Sequence, residues 1–232
     1  MFDRDKYKEI KDFLQKNHKK SQIIAVSKNH PRDSVISALK SGAHIFGENR
    51  VIEAKNKFAG LRIDFPKIEL HLTGPLQSNK VKMAVNLFDV FHTLDREKIA
   101  NEFSKYQDIL KNKKIFVQVN TGEEKTKSGV TPKELKDFLN YCKYDKGLNI
   151  FGLMCIPPIN DKPKTHFKLI ETLAKENNVN ELSIGMSNDY SDAIEFNPTY
   201  IRLGTILFGN RHWKIQSKYT PILKIQILLS KF

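Results

Sequence analysis

Long apolar runs are missing from this chain of 232 residues. No stretch approaches the roughly 18 apolar residues a membrane span requires, and positions 1–20 are too polar for the apolar core of a signal peptide. Cysteine is almost absent: Cys142 and Cys155 make neither a metal-type pair nor a disulfide framework. No cluster of His, Cys and Asp has metal-ligand spacing, so no metal is expected. A linker, a low-complexity tract and a break in composition are missing as well. These absences predict a cytoplasmic protein with no membrane partner and a single domain over 1–232, and a monomer is the expected state. Its core is expected at about 22–211, after an N-terminal helix at 5–17, and the packing of an apolar tail at 212–232 is unassigned.

Arginine is scarce despite a formal charge of +13, because 32 of the 39 basic residues are lysine, scattered along the chain. A basic surface attracts phosphates without discrimination. Base-edge readers, however, use arginine forks, and single-strand binders interleave aromatic residues with the basic ones. Neither pattern is present, so nucleic acid is not an expected partner.

What the chain does have is alternation. Strand-like runs at 22–26, 43–46, 68–72, 90–93, 114–120, 148–155, 182–184 and 200–203 are separated by helical patterns at 31–41, 49–58, 79–87, 95–110, 131–142, 162–177 and 189–196. In the opening helix, Tyr7, Ile10, Phe13 and Leu14 are expected on one face. Thr131 and Glu134 form a capping box with Pro132 at the first helical position, which marks a helix start. Eight strands with seven helices between them, joined by short loops, predict an α/β fold, a single (β/α)8 TIM-type barrel. The seventh strand is short and weak, and 221–229 suits either a final strand or a helix.

In such a barrel ligands collect where the strands end at their C-terminal side. The first strand, Gln22 to Val26, stops at Ser27-Lys28 and presents a candidate Schiff-base amine. The second would present Gly47-Glu48-Asn49, the fifth Asn120-Thr121-Gly122 and the sixth Met154. The seventh ends in Gly185-Met186-Ser187 and the eighth in Gly204-Thr205, where a barrel typically holds phosphate on backbone N–H groups and hydroxyls. Ser187 also has the form of a plain helix N-cap. An amine facing a phosphate cradle suits an aldehyde that carries a phosphate, with pyridoxal 5′-phosphate (PLP) first and a phosphorylated sugar second. Partial burial or nearby positive charge is expected to lower the pKa of Lys28, so that an imine forms near neutral pH. Lys80 and Lys127 are secondary candidates, more readily explained as solvated lysines. His71 and His92 are expected as satisfied core imidazoles, and Glu48 as an ion-paired or helix-start carboxylate rather than a general base.

The blocks AVSKNHP, FGENRVIEA, HLTGPLQSNKVK, VNTGEEKTKSGV, GLMCIPP, LSIGMSNDYSDAI and YIRLGTILFGNR resemble the PLP homeostasis proteins, in order from about 22 to 211. The fold of that family is similar to the amino-terminal barrel of alanine racemase, without its C-terminal β-domain. The resemblance implies that Lys28 forms the internal aldimine, that Ser187, Gly204 and Thr205 hold the phosphate, that Arg202 faces the pyridine nitrogen, and that Asn49 and Met186 line the cofactor. No residue is implied to be catalytic, and PLP-dependent apo-enzymes are the implied recipients. Thr73 and Asn197-Pro198 depart from the family pattern, and neither is expected to touch the ligand residues. Only about twenty residues follow Arg211, too few for the β-domain that completes a racemase. A permanent cation beside the pyridine nitrogen also weakens the ring as an electron sink. The expected function is PLP homeostasis without robust catalysis; a PLP-dependent amino-acid racemase or lyase, and a Schiff-base aldolase on a phosphorylated sugar, are the alternatives.

Overall fold

The computed structural model describes residues 2–17 and 19–210. Arg211 and the expected tail at 212–232 lie outside the described residues. Eight parallel strands close into a barrel in chain order: β1 (Gln22–Val26), β2 (Ile45–Glu48), β3 (Glu69–Leu72), β4 (Val90–Leu94), β5 (Lys114–Val119), β6 (Ile150–Cys155), β7 (Glu181–Met186) and β8 (Tyr200–Leu203). The pairing of Gln22 to Ala25 with Tyr200 to Leu203 seals the ring.

Strand residues alternate between two environments because successive side chains point to opposite faces. Ile24, Val26, Val90, Phe116, Met154 and Tyr200 form one buried cluster, which fills the barrel. Ile23, Ala25, Leu70, Leu72, Phe91, Ile115, Val117 and Leu153 belong to a larger cluster between strands and helices. The helices are α1 (Arg4–Lys16), α2 (Arg32–Lys40), α3 (Val51–Phe58), α4 (Leu61–Asp64), α5 (Val81–Leu87), α6 (Glu97–Ser104), α7 (Gln107–Leu110), α8 (Leu135–Asn140), α9 (Pro163–Glu176), α10 (Tyr190–Ala193) and α11 (Thr205–Phe208). Asp3 caps α1 by accepting the Lys6 N–H at 2.9 Å. The Asp3 N–H reaches the Leu207 carbonyl at 2.7 Å and the Phe2 ring packs on Phe208, so α1 is pinned to the helix that follows the last strand.

Several expected boundaries move, each for a local reason. β2 runs two residues later than 43–46 because Gly47 and Glu48 stay in the sheet. A Cβ on Gly47 would meet Ile24 at 2.9 Å, and the Glu48 side chain is buried on an ion pair. The pattern at 95–110 is two helices, α6 and α7. Ile99, Phe103 and Leu110 keep helical spacing across a turn in which the Tyr106 N–H bonds to the Phe103 carbonyl, so periodicity alone does not reveal the break. The capping box forms, with Thr131 Oγ1 donating to Glu134 at 2.7 Å, but it closes a turn and regular helix begins only at Leu135. Phe13 lies at the edge of the buried stripe of α1 and is 50% exposed. β7 spans six residues, longer than its weak apolar run suggested. Among the described residues no helix is long and apolar enough to cross a membrane.

Candidate functional site

The loops leaving the C-terminal ends of the strands enclose a cavity of about 490 Å³. Its lining includes all seven expected residues: Lys28 after β1, Asn49 after β2, Met186 at the end of β7, Ser187, Arg202 in β8, and Gly204 and Thr205 at the start of α11. Three cationic side chains, Lys28, Lys127 and Arg202, line it together with hydroxyls and amides. No Asp or Glu does so among the described residues.

Ser187 is not a helix cap. Its Oγ accepts the backbone N–H groups of Gly204 at 3.2 Å and Ile206 at 3.4 Å, which ties the loop after β7 to the loop after β8. Asp189 stands at the start of α10 instead, and its carboxylate takes the Met186 N–H at 2.5 Å. Gly185 belongs to the segment expected to hold phosphate. Its φ of +86° and the 2.6 Å contact that a Cβ would make with Ala193 show that the turn into α10 requires the glycine. Arg202 is buried, donating from Nη1 to the Ser183 carbonyl and hydroxyl at 2.7 Å each and from Nη2 to the Cys155 carbonyl at 3.0 Å. Burial pulls its pKa down from the usual arginine value, yet guanidinium titrates so high that it remains a cation.

Half-buried Lys28 sits on a loop held from behind by a cluster that sequence reasoning missed. Lys57 of α3 buries its Nζ against the Ser27 carbonyl at 2.7 Å, Glu48 Oε1 at 2.7 Å and Glu53 Oε1 at 2.8 Å. Ser27 Oγ also donates to Glu48 Oε1 at 2.6 Å, and the Asn29 N–H donates to Glu53 at 2.6 Å. Burial raises the pKa of Glu48 while Lys57 opposes the rise. Glu48 is therefore the ion-paired carboxylate and not a group of the cavity. Removing one member of a buried pair strands the other, so Lys57→Met should cost about 3–5 kcal/mol in urea unfolding at pH 7. Adding Glu48→Gln should restore part of that loss.

Other expectations are corrected. Met154 faces the packed interior and not the mouth; Ile156, two residues on, lines the cavity. Thr73 does touch one of the expected ligand residues: its Oγ1 donates to Asn49 Oδ1 at 3.1 Å, and it lines the cavity. Asn197 takes a left-handed φ of 46°, which asparagine tolerates nearly as a glycine would, and its side chain accepts from Lys19 at 2.9 Å. Lys80 is not among the lining residues, whereas Lys127 is, paired with Glu124 at 2.5 Å. Thr93 at the end of β4 and Ser128 were missed; a threonine closing the apolar run at 90–93 was the available signal for the first.

His71 and His92 are fully buried and hydrogen-bonded to each other at 2.8 Å. Burial lowers both pKa values, that of His92 strongly. In the unfolded chain each would gain a proton as pH falls through about 6.5. Stability should then be fully present above that pH and fall below it by up to about 1.4 kcal/mol per pH unit for each imidazole that stays neutral. Urea titrations at pH 7, 6 and 5 read this slope.

Residues 4–212 match the family described as alanine racemase, N-terminal domain. The pyridoxal phosphate homeostasis protein of Vibrio alginolyticus is 37% identical over 203 residues, covering 83% of this chain and 87% of that one. Its counterpart in Buchnera aphidicola subsp. Schizaphis graminum is 37% identical over 220 residues, covering 88% and 94%. Among solved structures, PipY of Synechococcus elongatus PCC7942 without PLP superposes with a TM-score of 0.80 at 34% identity, covering 89% of this chain and 99% of that one. The same protein with PLP bound gives 0.77 at 32% identity, with the same coverage. With its closed parallel barrel and these relatives at matching length, the chain belongs to the alanine racemase N-terminal domain family and, within it, to the pyridoxal phosphate homeostasis proteins.

Proposed function

We propose that this barrel binds PLP at its mouth and serves cofactor homeostasis, holding and releasing PLP without robust turnover. The observation that carries this is one cavity in which an amine, a hydroxyl-rich pair of loops and a buried guanidinium meet, with no carboxylate in the described lining. That donor set fits an anionic phosphate and an aldehyde. In this arrangement Lys28 Nζ would be the amine that holds the aldehyde end, and Ser187, Thr205 and the backbone of Gly204 would hold the phosphate. Asn49 and Met186 would line the ring, and Arg202 would be the cation toward the ring nitrogen. The relative PipY, solved with PLP bound, supports the choice of ligand over a phosphorylated sugar.

Bound PLP supplies an electron sink for carbanions to the degree that its ring nitrogen is protonated. Arg202 is a permanent cation, and no Asp or Glu of the described lining offers a proton partner. The protein therefore holds the cofactor in a weakly activated form, suited to delivery to PLP-dependent apo-enzymes. Purified protein loaded with PLP should show little exchange of the α-proton of added amino acids. Arg202→Glu should raise that exchange at equal cofactor occupancy. Wild-type exchange or racemisation at enzyme rates, on the order of 1–10³ per second, would restore the racemase or lyase alternative.

A further inference from the structure

A line of hydrogen bonds crosses the barrel interior from the mouth toward its opposite end. Arg202 Nη1 donates to Ser183 Oγ at 2.7 Å, and Ser183 Oγ lies 2.9 Å from His92 Nδ1. His92 Nε2 lies 2.8 Å from His71 Nδ1, and His71 Nε2 lies 2.7 Å from Glu69 Oε1. The first four residues are buried; Glu69, half-buried at the start of β3, borders a second cleft with Lys114 and Asp89.

The carboxylate end, with both rings neutral, fixes the direction of the whole line. Guanidinium only donates and an ionised carboxylate only accepts. With both rings neutral, each group between them then accepts from the Arg202 side and donates toward Glu69; the order is set from the Glu69 end, because a hydroxyl such as that of Ser183 could by itself accept twice. Ser183 takes the Arg202 N–H and gives its hydroxyl hydrogen to His92 Nδ1; His92 gives its Nε2–H to His71 Nδ1; His71 gives its Nε2–H to Glu69. All four ring nitrogens are satisfied with both imidazoles neutral. The opposite order would set a bare His71 Nε2 against a carboxylate or place an imidazolium in the core.

The surroundings hold this polarity. The His71 bond keeps Glu69 below the usual carboxylate range; Lys114 stands 4.0 Å away, and Tyr200 donates to Glu69 at 3.3 Å. Burial keeps both imidazoles neutral, and the charge of Arg202 adds to that effect at His92. The His92 ring lies nearly parallel on Phe116, centroids 4.8 Å apart, and His71 meets Tyr200 edge-on at 4.9 Å, which fixes both ring planes.

We propose that Ser183, His92 and His71 are positioning residues for Arg202, forming a one-way hydrogen-bond line that orients its guanidinium at the mouth and couples it to the Glu69 carboxylate across the barrel. This rests on the assignment of Arg202 to the ring nitrogen of PLP. The line itself is tested first without ligand, by ¹⁵N NMR of histidine-labelled protein at pH 7, with the two rings assigned through their contacts with Tyr200 and Phe116. Both should be neutral Nε2–H tautomers; an Nδ1–H tautomer or an imidazolium at either position overturns the proposal. The coupling is tested by titrating the absorbance of bound PLP with pH in wild type, Ser183→Ala and Glu69→Gln. Glu69→Gln keeps the shape of the side chain but can donate as well as accept, so it releases the direction. Both variants should move the midpoint by about 0.4–1 pH unit, the size a single hydrogen bond supplies. Midpoints equal to wild type would show that Arg202 is not coupled to the line. A wild-type protein with no PLP band would instead fail the PLP assignment, while the histidine measurement still judges the line.

Discussion

Lys28→Ala is expected to abolish the near-visible absorbance that PLP develops on the wild-type protein, with an unfolding free energy within about 0.5 kcal/mol of wild type. Only a primary amine gives the imine, and no other residue of the described mouth stands where Lys28 does. Its side chain is half-buried at the tip of β1 and belongs to neither buried apolar cluster. The loop beneath it is shaped by Ser27, Glu48, Glu53 and Lys57, which the substitution leaves in place. The contrast with Lys57→Met is therefore sharp: two nearby lysines, one expected to remove the chemistry and keep the fold, the other to weaken the fold. Lys80→Ala and Lys127→Ala should both retain the band. A band that survives Lys28→Ala at full strength would move the amine to Lys127, the other lysine that lines the cavity.

The second large effect concerns the phosphate. If Ser187, Thr205 and the backbone of Gly204 hold it, PLP should bind far more tightly than unphosphorylated pyridoxal. Each charge-assisted hydrogen bond contributes about 1.5–3 kcal/mol, or roughly 10- to 150-fold in affinity. Ser187→Ala should narrow the gap between the two aldehydes by about one such factor. It also removes the acceptor for the Gly204 and Ile206 N–H groups, so the two aldehydes must be compared on the same variant. Equal affinities for PLP and pyridoxal on wild type would mean that the loops after β7 and β8 do not hold a phosphate.

Most of the mouth was legible because strand ends are legible. The apolar run at 22–26 stops at Ser27-Lys28, and Met186-Ser187 and Gly204-Thr205 stand at the ends of β7 and β8, so barrel topology alone carries those positions into one cavity. The contacts between neighbours in space were not legible. Nothing local distinguishes Lys57 from the exposed lysines around it; its burial depends on Glu48 arriving from β2, which in turn depends on Gly47 remaining in the strand. His71 and His92 read correctly as core imidazoles. Their alignment with Ser183 and Arg202 depends on the register of four strands far apart in sequence. Thr73 was set aside as a loop departure because its bond to Asn49 spans two strands. The helix at 95–110 was read as continuous because apolar spacing persists through the turn at Tyr106.

Whether the barrel mouth holds PLP through Lys28 is read by borohydride reduction of the PLP-loaded wild-type protein followed by peptide mapping in a mass spectrometer. One predominant pyridoxyl-phosphate adduct, on Lys28, is expected. An adduct chiefly on Lys80 or Lys127, or none at all, would contradict it.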